Sequence, residues 1–364
     1  MSDSRILRLY VNPAWRRAGV LHSPLLFPFW GNPTTETSLF AKEMFDSYPM
    51  NTQWYTVTEK IHEADMIFPP YRHSWLLEHD KALLGGCVQQ AREAGLPLLI
   101  DGVGDVEFPV NIENAYVLRI GGYRFLPEKN RIQVPAAADD LLERCADGRL
   151  QIRTKREGEK PVVGFAGWAQ LTAVQTLRTV AKELPSRLRG VVDSRYRAMR
   201  KGVLWRQRAL RILGRSDKVE LQVIKRPTFS GSKKTASADM RQLRQELADL
   251  VLASDYGLDV RGDANESTRL YEVLSLGRIP VILDTERNLP FKDIIRYEDF
   301  SLIVDFRDIK RLPERIADFH RSLSNEKFME MQRAGHAAFV EHFRTDAHMK
   351  HIVRQLTELG AVTK

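Results

Sequence analysis

The residues best placed to do chemistry lie in the stretch 256–283. This stretch has the pattern of a strand, a polar loop, a helix and a second strand, with Asn265 or Ser267 as the helix N-cap and Gly277 just past its end. Free N–H groups and the positive end of the helix dipole favour an anion at the start of such a helix. The stretch therefore predicts an anion site, with phosphate as the first candidate.

Charged side chains around that helix could bind the rest of a nucleotide. Arg261 precedes the helix and Arg269 lies in its first turns, and both guanidinium groups could bind a diphosphate bidentately. Glu272 follows Arg269 by three residues on the same helix face, where its carboxylate could accept the hydroxyls of a ribose. Taken alone, the spacing of Arg269 and Glu272 favours an ordinary exposed ion pair on a helix.

The order of these residues resembles the donor-binding segment of a known family. Residues 260–272, followed by 276–281 and 288–291, are similar to the C-terminal segment of exostosin-like glycosyltransferases, particularly their shorter bacterial members. Weaker similarity extends upstream to residues 63–70, 100–102, 131–135 and 163–167. The likeness covers most of the chain and is strong from about residue 247 to residue 304.

The resemblance implies two Rossmann-like doubly wound α/β domains that face a cleft, the arrangement called GT-B. It implies a nucleotide-sugar donor, with UDP as the expected nucleotide, in the C-terminal domain and an acceptor in the N-terminal domain. It also implies inversion at the anomeric carbon without a metal ion.

The resemblance further assigns roles to single residues. Arg269 matches the family's diphosphate-contacting arginine, Glu272 matches its ribose-binding glutamate, and Arg261 with Gly262 matches the Arg-Gly pair before the loop. Residues 264–266 depart from the family pattern, in which Gly-Asn is often followed by an aromatic residue. The shape of the loop and the donor sugar therefore stay open.

Four further residues complete the predicted donor site. Asn265 and Ser267 belong to the loop that leads into the helix. Gly167 and Trp168 end the first strand of the second half, where the backbone could approach the donor closely. The alternative for this pair is a tight turn over a core tryptophan.

The catalytic base is expected at a strand end of the N-terminal domain, since inverting transfer requires removal of the acceptor hydroxyl proton. Asp101 is the first candidate because it ends the apolar run 97–100. Asp105, Glu107 and His73 are its rivals. The structural alternatives are that Asp101 only closes a turn and that His73 only caps or packs.

The positive charge of the chain is concentrated in residues 187–226, which contain 13 Lys or Arg and three acidic residues; the whole chain has a net charge of +8. Apolar residues at helical spacing within 195–215 predict a basic amphipathic helix that could rest on an anionic membrane surface. These apolar residues are Tyr196, Met199, Val203, Leu210 and Leu213. The alternative is a solvated face over core residues. No nucleic-acid partner is expected, because no aromatic ladder or known motif accompanies the charge.

The elements that must position these residues alternate between short apolar runs and helical patterns, as in parallel βαβ units. The predicted strands are residues 6–11, 54–57, 65–68, 97–100, 115–118, 162–167, 219–224, 256–260, 279–283 and 302–304. The predicted helices are residues 37–48, 75–94, 237–253, 266–276 and 309–323, with two more within 326–359.

Length and linker composition predict two domains and a C-terminal helix. The chain has 364 residues, about twice a typical domain, and residues 147–160 have the charged, glycine-containing composition of an exposed linker. We expect an acceptor-side domain over 1–155, a donor-binding domain over 156–345 and a helix over 346–364 that could pack back on the first domain.

Several other chemistries lack support in the sequence. There is no P-loop, no His-Glu-x-x-His zinc motif and no Asp-x-Asp pair, which holds a divalent ion in many sugar transferases. Neither a metal ion nor a bound cofactor is therefore expected. Two cysteines, Cys87 and Cys145, and the lack of an apolar leader or membrane span predict a cytoplasmic protein that could be peripheral on the inner membrane.

These observations lead to two hypotheses of different class. The leading one is an inverting, metal-independent glycosyltransferase that moves a sugar from a UDP-sugar to a hydroxyl of a glycan or lipid-linked glycan, in bacterial synthesis of a surface polysaccharide such as O-antigen or capsule. The rival is a non-catalytic protein of the same fold that uses residues 187–226 to hold lipid, nucleic acid or a partner enzyme.

Overall fold

Two parallel β-sheets covered by helices form the framework of the protein. The computed structural model describes residues 6–34, 39–156, 158–228 and 239–362. The N-terminal sheet has the strand order β2-β1-β3-β4-β5-β6. Its strands are β1 (Leu7–Tyr10), β2 (Tyr55–Thr58), β3 (Met66–Ile67), β4 (Leu98–Asp101), β5 (Ala115–Arg119) and β6 (Arg131–Gln133).

The C-terminal sheet has the order β11-β10-β9-β7-β8. Its strands are β7 (Val162–Trp168), β8 (Glu220–Arg226), β9 (Tyr256–Asp259), β10 (Ile279–Asp284) and β11 (Leu302–Asp305). The central strands are runs of apolar residues because helices cover both faces of the sheet. The two sheets confirm the predicted fold class of two doubly wound α/β domains.

Each sheet has one place where the strand order reverses. This switch point lies between β1 and β3 in the N-terminal sheet and between β7 and β9 in the C-terminal sheet. Open α/β sheets bind ligands outside the carboxyl ends of the strands at such points, because the connections leave the sheet in opposite directions and open a crevice. The topology therefore provides one candidate crevice in each domain.

The N-terminal domain contains helices α1 (Phe27–Trp30), α2 (Leu39–Ser47), α3 (His73–His79) and α4 (Lys81–Ala94). The single helix predicted over 75–94 is wrong, since Asp80 leaves the helical conformation and its side chain accepts a hydrogen bond from the Leu83 N–H as the N-cap of α4. The predicted start of the helix over 37–48 lies outside the described residues.

The rest of the chain contains nine α-helices within the described residues. They are α5 (Leu141–Cys145), α6 (Ala173–Lys182), α7 (Leu184–Val192), α8 (Gly202–Leu213), α9 (Met240–Ala253), α10 (Thr268–Ser275), α11 (Leu312–Ser322), α12 (Asn325–Ala338) and α13 (His348–Glu358). The predicted helix start at residue 237 lies outside the described residues. No helix of the described ranges combines the length and apolarity that crossing a membrane requires.

The chain enters the C-terminal domain earlier than the predicted boundary at residue 155. Val134 belongs to the N-terminal core, whereas Ala136 and Ala138 pack in a C-terminal core cluster. The predicted linker 147–160 is also held in place, because Arg153 forms a 2.7 Å ion pair with the buried Asp255. Alanine fits a linker as well as a core, so the sequence did not predict that the chain passes to the C-terminal domain this early.

The last helix crosses back to the N-terminal domain. Met349, Ile352 and Leu356 of α13 are buried in the N-terminal core. Gln355 exchanges two 3.0 Å hydrogen bonds with the backbone of Gln133 at the end of β6. The two domains are therefore joined by α13 as well as by the crossing after Val134.

The helix predicted over 195–215 is shorter than expected, and it fits the stated alternative of a face over core residues. Residues 194–199 form a 3₁₀ turn, and the α-helix begins only at Gly202. The apolar side chains of Val203, Leu210 and Leu213 on α8 are buried in the C-terminal domain. This face is not available to a membrane; the same apolar spacing fits a helix packed against a sheet.

Candidate functional site

The carboxyl ends of β7 and β9 meet at the switch point of the C-terminal sheet, and an arginine from α8 lies between them. The guanidinium of Arg206 donates to the backbone carbonyls of Trp168 and Val260, at 3.2 Å each. It has no ion-pair partner within the described residues, and burial followed by repulsion from Arg269 lowers its pKa to about 10. The basic sequence around Arg206 predicts a surface helix, so the sequence did not indicate that this arginine lies at the switch point.

Arg269 lies beside this position at the start of α10. Its guanidinium donates to the Ala166 carbonyl of β7 at 2.6 Å and to Glu272 at 2.7 Å. Ser267 is the N-cap of α10, because its hydroxyl accepts a 3.2 Å hydrogen bond from the Arg269 N–H. Burial, and secondarily the neighbouring Arg244, outweighs the attraction of Glu272 and lowers the pKa of Arg269.

Glu272 is the counter-ion of two arginines. One carboxylate oxygen accepts from Arg269 and the other from Arg244, and the side chain is only 3% exposed. Burial would raise the pKa of Glu272, but the two guanidinium groups hold it below its ordinary value. Each carboxylate oxygen has two lone pairs, so it can accept one further hydrogen bond. Binding of a ribose by Glu272 stays a prediction.

A third arginine, Arg226, lies near Glu272. Arg226 at the end of β8 pairs with Glu246 at 3.2 Å, and burial together with repulsion from Arg269 lowers its pKa. The arginine cluster is defined here as Arg206, Arg226, Arg244 and Arg269. Three of its members pair with Glu246 or Glu272, whereas Arg206 forms no ion pair with any side chain in the described ranges. A cation without an ion-pair partner in a water-poor setting favours binding of an anion.

The guanidinium of Arg261 is engaged in hydrogen bonds within the protein. Its guanidinium donates to the Asp263 carbonyl at 2.7 Å, to the Ala198 carbonyl at 3.3 Å and to the hydroxyl of Tyr123 in the N-terminal domain. The side chain is buried and braces the loop between β9 and α10. Gly262 lies in the same loop, where its N–H donates to the Glu266 carbonyl at 2.8 Å. Diphosphate contact by Arg261 stays a prediction.

Asn265 ties the two domains together. Its side-chain amide donates to the carbonyls of Gly122 and Thr285, at 2.9 and 3.0 Å, and accepts from the Thr285 hydroxyl at 2.7 Å. It is therefore not the N-cap, and the polar atoms of its amide are engaged in the protein. Gly121 packs so closely that an added Cβ would lie 3.0 Å from the Asn265 backbone.

A buried network of ion pairs stabilises the loop between β9 and α10. Arg287 pairs with both Asp259 at the end of β9 and Glu266 in the loop, and all three side chains are essentially inaccessible. The Tyr271 hydroxyl donates to Glu266 at 3.1 Å. These contacts fix the backbone between β9 and α10, from which Ser267 and Arg269 project.

A pocket of about 580 Å³ opens beside Trp168. Its lining includes five cationic side chains and two acidic ones: Arg178, Lys182, Arg189, Lys201, Arg261, Glu183 and Asp263. The Lys201 ammonium lies 5.3 Å from the centre of the Trp168 ring, while the indole N–H donates to the Gln170 carbonyl at 2.7 Å. The pocket is large enough and positive enough for a phosphorylated ligand.

Two of the candidate bases lie at the carboxyl edge of the N-terminal sheet. Asp101 ends β4, is buried, and accepts a 3.1 Å hydrogen bond from the Val103 N–H, so it closes a turn. His73 begins α3 and is 3% exposed, and its Nδ1 has no hydrogen-bond partner among the described residues. Burial, with a further contribution from Arg119, lowers the pKa of His73 and keeps its ring neutral near pH 7.

The other two candidates lie in the loop after β4. Asp105 is exposed. Glu107 forms a 2.6 Å ion pair with Arg131. Among the described ranges, no group of three or more His, Cys, Asp or Glu side chains is arranged to hold a metal ion.

In a comparison with known families, residues 205–319 match the model of the Exostosin GT47 domain. This match confirms the resemblance predicted from the sequence. A probable glycosyltransferase from Arabidopsis thaliana is 44% identical over 62 residues, which is 17% of this chain and 12% of the relative. The chain therefore spans only a small part of that relative's length.

Similar solved structures include Anabaena HepE in complex with UDP, at 12% identity, 97% coverage of this chain, 99% coverage of that chain and a TM-score of 0.38. A glycosyltransferase from Rickettsia africae has 9% identity, coverage of 98% and 99%, and a TM-score of 0.35. A mutant of S. aureus TarM in complex with fondaparinux, α-GlcNAc-glycerol and UDP has 9% identity and a TM-score of 0.33. That match covers 76% of this chain and 58% of TarM.

Proposed function

We propose that this exostosin-like chain is a glycosyltransferase that binds a nucleoside diphosphate sugar at the switch point between β7 and β9. The observation that carries the proposal is the arginine cluster with its unpaired Arg206. A diphosphate would supply a counter-ion to Arg206 where the topology opens a crevice. The adjoining pocket beside Trp168 has room for a further part of the ligands.

Departure of the nucleoside diphosphate is the step that this chain is best equipped to assist. Negative charge builds up on the leaving phosphate as the bond to the anomeric carbon breaks. Arg206 and Arg269 are held in fixed positions by backbone carbonyls, so little reorganisation is needed when that charge develops. A preorganised charge contact of this kind is worth about 2–4 kcal/mol of transition-state stabilisation.

The acceptor hydroxyl would lose its proton to a base in the N-terminal domain. His73 is better suited than Asp101, because its neutral ring has an unpartnered Nδ1 while Asp101 already closes a turn. Asp105 and Glu107 rank below them, since they lie on the exposed loop after β4. We propose His73 as the general base and Asp101 as the second candidate.

The finer parts of the proposal rest on the family resemblance. They are inversion at the anomeric carbon, independence from a metal ion, UDP as the nucleotide, a glycan or lipid-linked glycan as the acceptor, and a place in bacterial surface polysaccharide synthesis at the cytoplasmic face of the membrane. Each can be tested separately from donor binding.

A thermal-shift panel of nucleoside diphosphates and their sugars tests the donor. A ligand that binds only the folded protein raises its melting temperature by mass action. We expect UDP and at least one UDP-sugar to raise it in the presence of EDTA. A shift with another nucleotide alone would overturn UDP, and salt-labile binding of any polyanion without nucleotide selectivity would favour the non-catalytic alternative.

A further inference from the structure

The helices α6 and α7 expose an apolar stripe that belongs to none of the hydrophobic core clusters of the described residues. Helix α6 has no buried residue. Six large apolar side chains of the two helices are between 54% and 93% exposed: Val174, Leu177, Leu184, Leu188, Val191 and Val192. No other part of the described chain exposes so many within one pair of helices.

The spacing of these residues places them on one face. From Val174 to Val191, successive members of the stripe are separated by three or four residues if the small Ala181 is included. At about 100° per residue, this spacing keeps them within roughly a quarter to a third of the helix circumference. The stripe continues from α6 into α7 across the single turn residue Glu183.

Positive charge flanks the stripe. Arg178, Lys182 and Arg189 follow stripe residues along one side, and Arg187 lies on the other. The acid within the two helices and their turn, Glu183, is buried and paired with Arg187 at 2.9 Å. A surface with exposed aliphatic side chains between cations is complementary to a bilayer with anionic head groups.

We propose that α6 and α7 dock the protein on an anionic lipid bilayer, with the apolar stripe entering the head-group layer. This surface replaces the one expected over residues 195–215, where Val203, Leu210 and Leu213 are buried in the core. The proposal is independent of the donor assignment, because none of the stripe residues belongs to the arginine cluster.

The same helix pair connects the membrane surface to the candidate site. Gln175, Arg178, Thr179 and Lys182 line the pocket beside Trp168 with one side of α6, while Val174 and Leu177 face solvent. Docking through the stripe would therefore hold that pocket next to the lipid head groups. An acceptor carried on a membrane lipid would meet the site without leaving the bilayer.

Vesicle flotation with the full chain tests this proposal. We expect binding to vesicles of phosphatidylcholine mixed with phosphatidylglycerol, and weaker binding to phosphatidylcholine alone. The double variant Leu177→Glu, Leu188→Glu should lose binding by about tenfold or more, because charges replace side chains that enter the apolar layer. Ile294→Glu, at a residue 46% exposed elsewhere, is the matched control and should bind like wild type.

Two results would overturn the proposal. One is equal vesicle binding by wild type and the double variant. The other is no vesicle binding together with a dimer in solution that the double variant dissociates, since the stripe would then be an interface between two copies. Arg269→Met should bind vesicles like wild type, so a failure of the donor assignment leaves the lipid result unaffected.

Discussion

The fully buried Arg287 and the half-buried Arg206 differ in how their charge is neutralised. Arg287 pairs with two buried carboxylates, whereas Arg206 has carbonyl partners but no acid. Because a cation without a counter-ion is costly in a poorly hydrated site, an anionic ligand relieves more free energy at Arg206 than at Arg287. The unpaired arginine is therefore the best marker of the ligand phosphates.

Arg206→Met should weaken binding of UDP by about tenfold to a hundredfold, the equivalent of a lost charge-assisted hydrogen bond. It should leave binding of uridine unchanged, because uridine has no phosphate. Isothermal titration calorimetry measures both. Arg208→Met is the matched control, since Arg208 lies on the same helix but stacks over Trp205 at 5.6 Å. Equal losses in the two variants would contradict the assignment.

His73→Gln should lower kcat by about 10²–10⁴ while the dissociation constant for UDP stays the same, because a base acts only in the chemical step. Rate should also fall as the pH drops through the lowered pKa of His73, where the ring gains a proton. His79→Gln on the exposed end of α3 is the control. If Asp101→Asn abolishes turnover and His73→Gln does not, the base is Asp101.

At the level of elements, α8 and the loop after β9 are in close contact. An added Cβ at Gly202 would overlap the backbone carbonyl oxygens of Arg261 and Gly262. A glycine is needed here because backbone, which cannot rotate away, occupies the space of the missing side chain. The close approach is also what brings Arg206, one turn further along α8, to the ends of β7 and β9.

Gly202→Ala should therefore displace the loop or the helix, lower the free energy of unfolding and weaken UDP binding. Gly86→Ala on the exposed face of α4 meets nothing within 4 Å and should raise the free energy of unfolding by about 0.5–1 kcal/mol. Urea unfolding compares the two. If Gly202→Ala raised the free energy of unfolding as Gly86→Ala does, the close contact would be shown to relax at no cost.

Some elements could be predicted from the sequence and others could not, for identifiable physical reasons. The unit from β9 through α10 to β10 was predictable, because apolar strands, a serine N-cap and the C-terminal glycine all act over short distances. The position of Arg206 was not, because it depends on how α8 packs against a sheet assembled from distant segments. The crossing after Val134 was missed because alanines fit either a linker or a core.

At the scale of the whole molecule, α13 follows the C-terminal domain and packs in the N-terminal core, so it joins the two domains. His348 at its start is buried and bonds the Phe343 carbonyl at 2.8 Å. Burial lowers the pKa of His348 from its ordinary value near 6.5 to about 4. The folded protein therefore needs this side chain to be neutral where the two domains join.

Stability should fall as the pH is lowered from about 6.5 towards 4. The unfolded chain takes up a proton at His348 in this range while the folded protein does not, which removes about 1.4 kcal/mol per pH unit. His348→Gln keeps a donor for the Phe343 carbonyl without titrating. Its thermal stability should depend less steeply on pH than that of wild type or of the exposed-site control His62→Gln; parallel curves would contradict the prediction.

A crystal structure of the protein with bound UDP is the decisive test of the diphosphate site. We expect the phosphates at the carboxyl ends of β7 and β9, with phosphate oxygens within hydrogen-bond distance of Arg206 and Arg269. UDP bound in the N-terminal crevice, or in the C-terminal domain with both arginines still holding only their present partners, would contradict it.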